Sequence, residues 1–424
     1  MRLAYLCADR GIPLGGNKGA SVHVRAVSQA LAERGHDVNV VAVRVGTTPP
    51  RRFRPRILEV PFDRTLKSLR RSIDGEGRSV LSNEIYSLLL NSVCHEGLVE
   101  VENGGKIDGI YERYSLWSVA GLRFARSRGI PFVLEANAPL VLEQEEYRDL
   151  ELRETAQGIE RFLFSQADAI FVPSRELETY IKGRVGERRK IFVTPNGVHT
   201  SHFSGPHPLE DESRRSSRDR FTVVFLGSLK PWHGVEVLLR AFKRLKTRVP
   251  DATLLVIGDG PMRAEVERLQ QEMGTEVVRL TGEVPHHEIP ARLRTADVGV
   301  APYPDLEPFY FSPMKVIEYM AAGLPVVASS IGQLDDLVDD GQNGLLVRPG
   351  DLAGLVEALE SLALDRRLRS RLGRRAQRRA LRKYSWQGVA SRIEAAFSEV
   401  AVRTASSSMS QQEVGAMGSS GGMA

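Results

Sequence analysis

Twice along this chain an apolar run of strand length gives way to a glycine-rich loop, and then to apolar residues at helical spacing. The first unit opens with Leu3–Cys7, continues through GIPLGGNKGAS at 11–21, and places Val24, Val27 and Leu31 on one helical face. Gly35 stops that helix, and Val38–Val43 reads as a buried strand. The second unit opens with Phe221–Leu226 and the loop GSLKPWHG at 227–234. Val237, Leu238, Ala241, Phe242 and Leu245 mark its helix, Leu254–Ile257 its next strand, and GDGP follows at 258–261. Val298–Ala301 and Val326–Ala328 add further strands. A strand–helix–strand unit this short joins a parallel pair by a right-handed crossover. The chain is therefore predicted to be α/β, with two doubly wound, Rossmann-like domains.

A length of 424 residues suits two such domains. The first spans 1–204. GPHPLEDESRRSSRDR at 205–220 is polar, charged and proline-bearing, and reads as the linker. The second domain spans 221–384. Residues 385–403 form a last amphipathic helix carrying Trp386, Val389, Ile393 and Phe397, expected to pack back on the N-terminal domain. Residues 404–424, rich in Ser, Gly and Met, are expected to be a disordered tail.

Composition narrows the function classes. There is no apolar run of spanning length, and Met1–Cys7 lacks the features of a signal peptide, so the expected location is cytoplasmic. Cys7 and Cys94 have neither zinc spacing nor scaffold density, and nine histidines without a spaced pair give no metal site. The net charge of +5 is unevenly spread. Residues 51–71 hold eight basic side chains against Glu59 and Asp63; residues 366–383 hold ten and no acid. Such clusters are first of all solvated surface. The sharper reading is peripheral contact with the inner face of an anionic membrane. No nucleic-acid module accompanies them, so a nucleic-acid partner is not expected.

In the loop at 11–21 the glycines are Gly15, Gly16 and Gly19, not G-x-G-x-x-G, and Arg44 stands where a dinucleotide site wants an acid. What remains is a loop feeding a helix N-terminus, suited to an anion, with Lys18 adding charge. A plain strand-to-helix turn has the same sequence. The richer stretch is YFSPMKVIEYMAAGLPVVAS at 310–329. Ser312 reads as an N-cap and Pro313 as the first helical residue. Lys315 and Glu318 then fall three apart on one face, Gly323 ends the helix, and Pro325 leads into a strand. A lysine at a helix start suits a diphosphate, and a carboxylate one turn deeper can accept ribose hydroxyls. A surface Lys–Glu pair has the same spacing.

KVIEYMAAGLPVVAS resembles the donor-binding helix of the retaining glycosyltransferases of family 4, the sucrose-synthase-like group with the GT-B fold. The resemblance continues in order through KGASVHVRAVSQALAERGHDV at 18–38, TPNGVHTSHF at 194–203, GSLKPWHGVEVLLRAF at 227–242, VIGDGP at 256–261, TADVGVAPY at 295–303 and DDGQNGLLVRPGD at 339–351. It implies two facing nucleotide-fold domains, with the donor mainly on the C-terminal one and the acceptor on the other. It implies transfer of a hexosyl group with retention and without a metal. No cofactor is expected beyond a nucleotide-sugar co-substrate of UDP or GDP type. The acceptor expected is a glycan or lipid-linked glycan intermediate of polysaccharide biosynthesis.

Carried onto this chain, the resemblance gives Glu318 the donor ribose, and Lys315, Lys230 and His233 the diphosphate. Phe311, Ser312 and Pro313 complete the donor side, and Gly258 and Gly260 are expected to let backbone approach the nucleotide. Gly16, Lys18, Gly19 and Ser21, with Glu135 and Asn137, are expected to line the facing cleft. Three departures stand out. Tyr310 occupies the place of the family's first glutamate, with Glu307 a nearby substitute. Ser228 and His233 replace an arginine and a lysine, for which Lys315 compensates in charge. Asn137 replaces a histidine. His233 is expected to titrate upward beside a diphosphate. His23 is either a cleft residue or a structural one, His199 a turn residue, and His286 and His287 solvent-facing. The rival readings are a catalytically inactive sugar-nucleotide-binding scaffold and a nucleotide-sugar epimerase of the same fold.

Overall fold

The computed structural model describes the chain except residues 47–51, 61–63, 77–78, 188–189, 204–219 and 419–424; the side chains of residues 147 and 403–418 are likewise outside the description. Almost all of the expected linker thus lies outside the described residues.

The N-terminal sheet comprises β1 (Arg2–Cys7), β2 (Asp37–Ala42), β3 (Arg56–Glu59), β4 (Gly109–Arg113), β5 (Phe132–Glu135), β6 (Ala169–Val172) and β7 (Ile191–Val193). Their order in space is β3-β2-β1-β4-β5-β6-β7. The C-terminal sheet comprises β8 (Phe221–Leu226), β9 (Ala252–Ile257), β10 (Val278–Leu280), β11 (Val298–Ala301), β12 (Val326–Ser329) and β13 (Gly344–Val347), ordered β10-β9-β8-β11-β12-β13. The strand pairs are parallel in both sheets; Leu3 lies opposite Val38 and Gly109, and Val223 opposite Leu254 and Val298. Helices cover both faces, which is why the central strands are continuous apolar runs rather than alternating ones. Each sheet reverses strand order beside its first strand, the place where ligands settle in such sheets.

The long helix Trp386–Gly418 returns to the N-terminal half. Trp386, Val389, Ile393 and Phe397 join Leu3, Tyr5, Val24 and Val27 in one buried cluster. A Cβ on Gly109 would overlap the Phe397 ring, and one on Gly197 would overlap the Trp386 backbone. Val198 N–H donates to Tyr384 O and Trp386 N–H to Val198 O, at 2.9 and 3.2 Å, so two chain crossings run side by side between the halves. The helix continues through part of the tail expected to be disordered. Residues 404–414 contain neither Pro nor Gly, so nothing in them breaks a helix.

The basic clusters occupy different settings. Within 51–71, the helix Arg64–Asp74 buries no residue, and Leu69 is 46% exposed. The second cluster forms the helix Arg366–Lys383, which packs Leu372, Ala376 and Ala380 inward; its Arg369 pairs with Asp297 and its Arg379 with Asp339.

Candidate active site

The loop after β8 and the loop after β9 lie backbone to backbone. Gly258 (φ +143°) and Gly260 (φ +156°) adopt conformations that favour glycine. A Cβ on Gly258 would overlap Gly227 O, and one on Gly260 would meet Leu229 N at 2.7 Å. Leu229 N–H donates to Asp259 O at 2.9 Å. The close approach expected toward a nucleotide is therefore first an approach of one loop to the other.

That stacking shapes the surroundings of Lys315. The helix Met314–Ala321 starts one residue later than its sequence suggests, with Pro313 at the cap position and no side chain capping the first turn. Ser312 is not the cap: it accepts from Asn196 Nδ2 at its Oγ (2.9 Å) and its carbonyl (3.1 Å). Lys315 is only 7% exposed. Its Nζ sits 4.3 Å from the Phe225 ring centre and 5.1 Å from that of Tyr303, without a hydrogen-bond partner among the described residues. Burial brings its ammonium down to about 7. A buried cation with only ring faces for company is costly, and an anion at this helix start would relieve it.

One turn on, Glu318 is buried and its Oε1 lies 2.6 Å from His286 Nε2. This corrects the expectation that His286 faces solvent. The short turn His286–Glu288 after β10 turns its ring inward over the helix Met314–Ala321.

His233 also departs from expectation. It closes the turn Pro231–His233, and Gly234 (φ +73°) behind it passes so near Pro302 O that a Cβ would overlap. His233 Nδ1 faces the Ser228 carbonyl at 2.7 Å and must donate to it, which leaves Nε2 as an acceptor in the neutral ring. Burial, then the neighbouring Lys315, brings its titration down to about 3. Without a ligand the site thus favours the neutral His233 ring. Lys230 lies 4.6 Å from the Trp232 ring centre. Burial and the nearby charges of Arg148 and Lys18 lower its pKa, so three cations from three segments converge here.

On the facing side, Gly19 comes within 3.8 Å of Met314 Sδ, measured from an ideal Cβ, and Lys18 is exposed at the cap position of the helix Gly19–Glu33. Gly16 is pinned by Arg25 Nη1 donating to its carbonyl at 2.6 Å. Ser21 is buried beside it, its hydroxyl unpartnered among the described residues. Glu135 is not an open cleft residue. It is buried beneath the cleft, where Arg113 Nη1 (3.0 Å) and Tyr5 OH (3.2 Å) donate to it, as does Asn137 Nδ2. His23 Nε2 lies 2.7 Å from Glu135 Oε1, and His23 Nδ1 lies 2.7 Å from Asn196 Oδ1. Burial alone would raise the Glu135 carboxyl, but His23 and Arg113 hold it at about 2. His23 thus joins Glu135 to Asn196 and so to Ser312, with its ring edge-on to Trp386 at 5.1 Å.

Several residues here carried no sequence signal. Tyr310 is buried and hydrogen-bonded to Glu143 of the helix Leu140–Tyr147, while Glu307 is exposed. The Phe311 ring lies tilted against that of Tyr310, their centres 4.5 Å apart. Glu143 also borders an N-terminal cavity of about 630 Å³ lined by Asp9, Arg10, Asn83, Asn91, Ser115 and Arg148 among others. These side chains lie scattered over five segments; Glu307, Tyr310 and Phe311 stood out in the sequence, whereas Glu143 and the cavity residues did not.

Comparison with known proteins gives a consistent result. The model for family 4 glycosyltransferases matches residues 17–202, and that for group 1 glycosyl transferases residues 220–365. The D-inositol 3-phosphate glycosyltransferase of Corynebacterium jeikeium is 28% identical over 400 residues, covering 90% of this chain and 92% of its own. The phosphatidyl-myo-inositol mannosyltransferase of Mycobacterium leprae is 36% identical over 210 residues, covering 49% and 53%. Sucrose-phosphate synthase from Thermosynechococcus elongatus shares the fold with a TM-score of 0.73 at 21% identity, covering 95% of this chain and 99% of that one. Anabaena HepE in complex with UDP-glucose shares it with a TM-score of 0.66 at 18% identity, covering 94% and 100%. With matches of both kinds spanning both halves, and with GT-B neighbours over nearly its whole length, the chain belongs to the group 1, family 4 glycosyltransferases.

Proposed function

We propose that this protein transfers a hexosyl group from a nucleotide-diphosphate sugar to an acceptor, with retention of anomeric configuration. The observation that carries this reading is Lys315, a buried and unpartnered cation at a helix start whose first turn no side chain caps. Glu318, held by His286, accepts ribose hydroxyls one turn deeper. Lys315 and Lys230 neutralise the departing diphosphate, the place where fixed charge contributes most to transfer. Neighbours solved with UDP and with UDP-glucose support a nucleotide-sugar donor. Retention, the hexosyl type and the absence of a metal requirement are carried by the family likeness.

The acceptor, a glycan or lipid-linked intermediate, enters the N-terminal cavity. Relatives named for D-inositol 3-phosphate and phosphatidyl-myo-inositol support a polyhydroxylated acceptor. No helix among the described residues is long and apolar enough to cross a membrane. Peripheral attachment through the helix Arg64–Asp74 would require co-sedimentation with anionic liposomes at low salt, where screening is weakest. The function is tested by a thermal-shift screen of UDP- and GDP-sugars, since a ligand of the native state raises Tm by mass action. Product analysis with and without acceptors follows. Stabilisation by no nucleotide sugar sinks the proposal, and a new sugar nucleotide formed from donor alone marks an epimerase instead.

A further inference from the structure

We infer that Glu143, from the N-terminal half, is the carboxylate that recognises the transferred sugar of the donor, reaching across the cleft to the place where Tyr310 leaves the donor side without one. The inference rests on the proposed use of a nucleotide sugar.

The argument is one of direction. Lys315 and Glu318 lie three residues apart, about 4.5 Å along the helix axis. A nucleotide with its ribose at Glu318 and its phosphates at Lys315 and the uncapped first turn runs toward the helix start. Whatever hangs from its second phosphate continues past Pro313 toward Phe311 and Tyr310. Tyr310 is buried there, and its hydroxyl is hydrogen-bonded to Glu143. Arg148 and Lys230 act electrostatically on the same carboxyl. Glu143 also lines the N-terminal cavity. It therefore stands where that cavity meets the donor side, at the point a donor sugar must occupy to react with a group held in the cavity.

Its chemistry fits a sugar and not a phosphate. A carboxylate accepts hydrogen bonds from hydroxyls, of which a sugar has several, and repels a diphosphate. Burial raises the Glu143 carboxyl above its ordinary range, although Tyr310, Arg148 and Lys230 each pull it down. A partly desolvated acceptor of this kind binds hydroxyls more tightly than one in open water.

The test is calorimetric titration of the parent and Glu143→Gln with UDP, GDP, UDP-glucose and GDP-mannose, with no acceptor present. Glu143→Gln is expected to weaken the sugar-bearing ligand of the nucleotide that binds by about tenfold, as for loss of one charge-assisted hydrogen bond. Affinity for the bare nucleoside diphosphate is expected to be unchanged, which also shows that the variant is folded. Equal losses for both ligands, or a loss for neither, overturn the role of Glu143 and leave the proposed function standing. A parent that binds neither the nucleotides nor their sugars removes the proposed function, and the role of Glu143 with it.

Discussion

His286 Nε2 lies 2.6 Å from Glu318 Oε1, and this contact ties the turn after β10 to the middle of the helix Met314–Ala321. Glu318 is thereby oriented before any ligand arrives. Glu318→Ala is expected to lower donor affinity at least about tenfold through loss of a charge-assisted hydrogen bond. His286→Ala, which leaves the carboxylate present but unanchored, is expected to lower it less. Titration with the nucleotide alone checks both, and an unaffected Glu318→Ala would remove that residue from the site.

Lys315 gives donor binding a defined pH dependence. Burial brings its free-state value to about 7, and a bound diphosphate favours the charged form and raises it. Below about pH 7 the amine is already protonated, and affinity is at its full level. Above that, binding must take up a proton, so affinity falls as pH rises, until the bound-state value is passed. Lys315→Gln should be weaker at neutral pH and flat over this range. Affinity measured from about pH 5.5 to 9 decides the matter; a parent profile as flat as that of Lys315→Gln contradicts it.

His233, by contrast, should leave that profile alone. With Nδ1 committed to the Ser228 carbonyl and Lys315 adjacent, its titration lies near 3 in the free protein. His233→Ala is expected to keep the slope between about pH 5.5 and 8.5, with at most a uniform loss from loosened packing beside Tyr303. A slope that disappears in His233→Ala would show the histidine, not the lysine, to be the titrating group.

Glu135 is a stability residue on this reading. Replacing it by Ala leaves Arg113 buried without its counter-charge and His23 Nε2 without its partner, at an expected loss of about 3–5 kcal/mol. In the parent the carboxyl is held at about 2, below its unfolded value. Its contribution is thus present above the ordinary carboxylate range, and is lost as pH falls through that range toward 2. Urea midpoints at about pH 7 and pH 3 test this. The parent should weaken on acidification by more than Glu135→Gln does.

The doubly wound plan was legible from the sequence because buried parallel strands and crossover helices impose their periods locally. Phe221–Leu226 and the Val237–Leu245 pattern leave little alternative. The helix Met314–Ala321 was legible too, since Lys315, Glu318 and Gly323 lie within one turn-and-cap pattern. The start of that helix was misread because Ser312, a good cap in isolation, is claimed by Asn196 from the other half. The position of His286 and the charge state of His233 were hidden for a related reason. Both depend on burial and on partners 32 and five residues away. Glu143 lies in LVLEQEEY, where nothing separates it from Glu145 and Glu146 until the chain is folded.

The return of the last helix to the first sheet sets a constraint on biosynthesis. Trp386, Ile393 and Phe397 fill the face between Tyr5, Val24 and Tyr111, and Gly109 is shaped to receive Phe397. Residues 1–204 therefore cannot complete their interior until residues 386–400 have emerged from the ribosome. Domains usually finish in order of synthesis; here the C-terminal half closes upon itself while the N-terminal half still waits, with one apolar face open to chaperones or to self-association. A stop codon shortly before Trp386 would spare all thirteen described strands and is still expected to leave a protein that aggregates through its amino-terminal half.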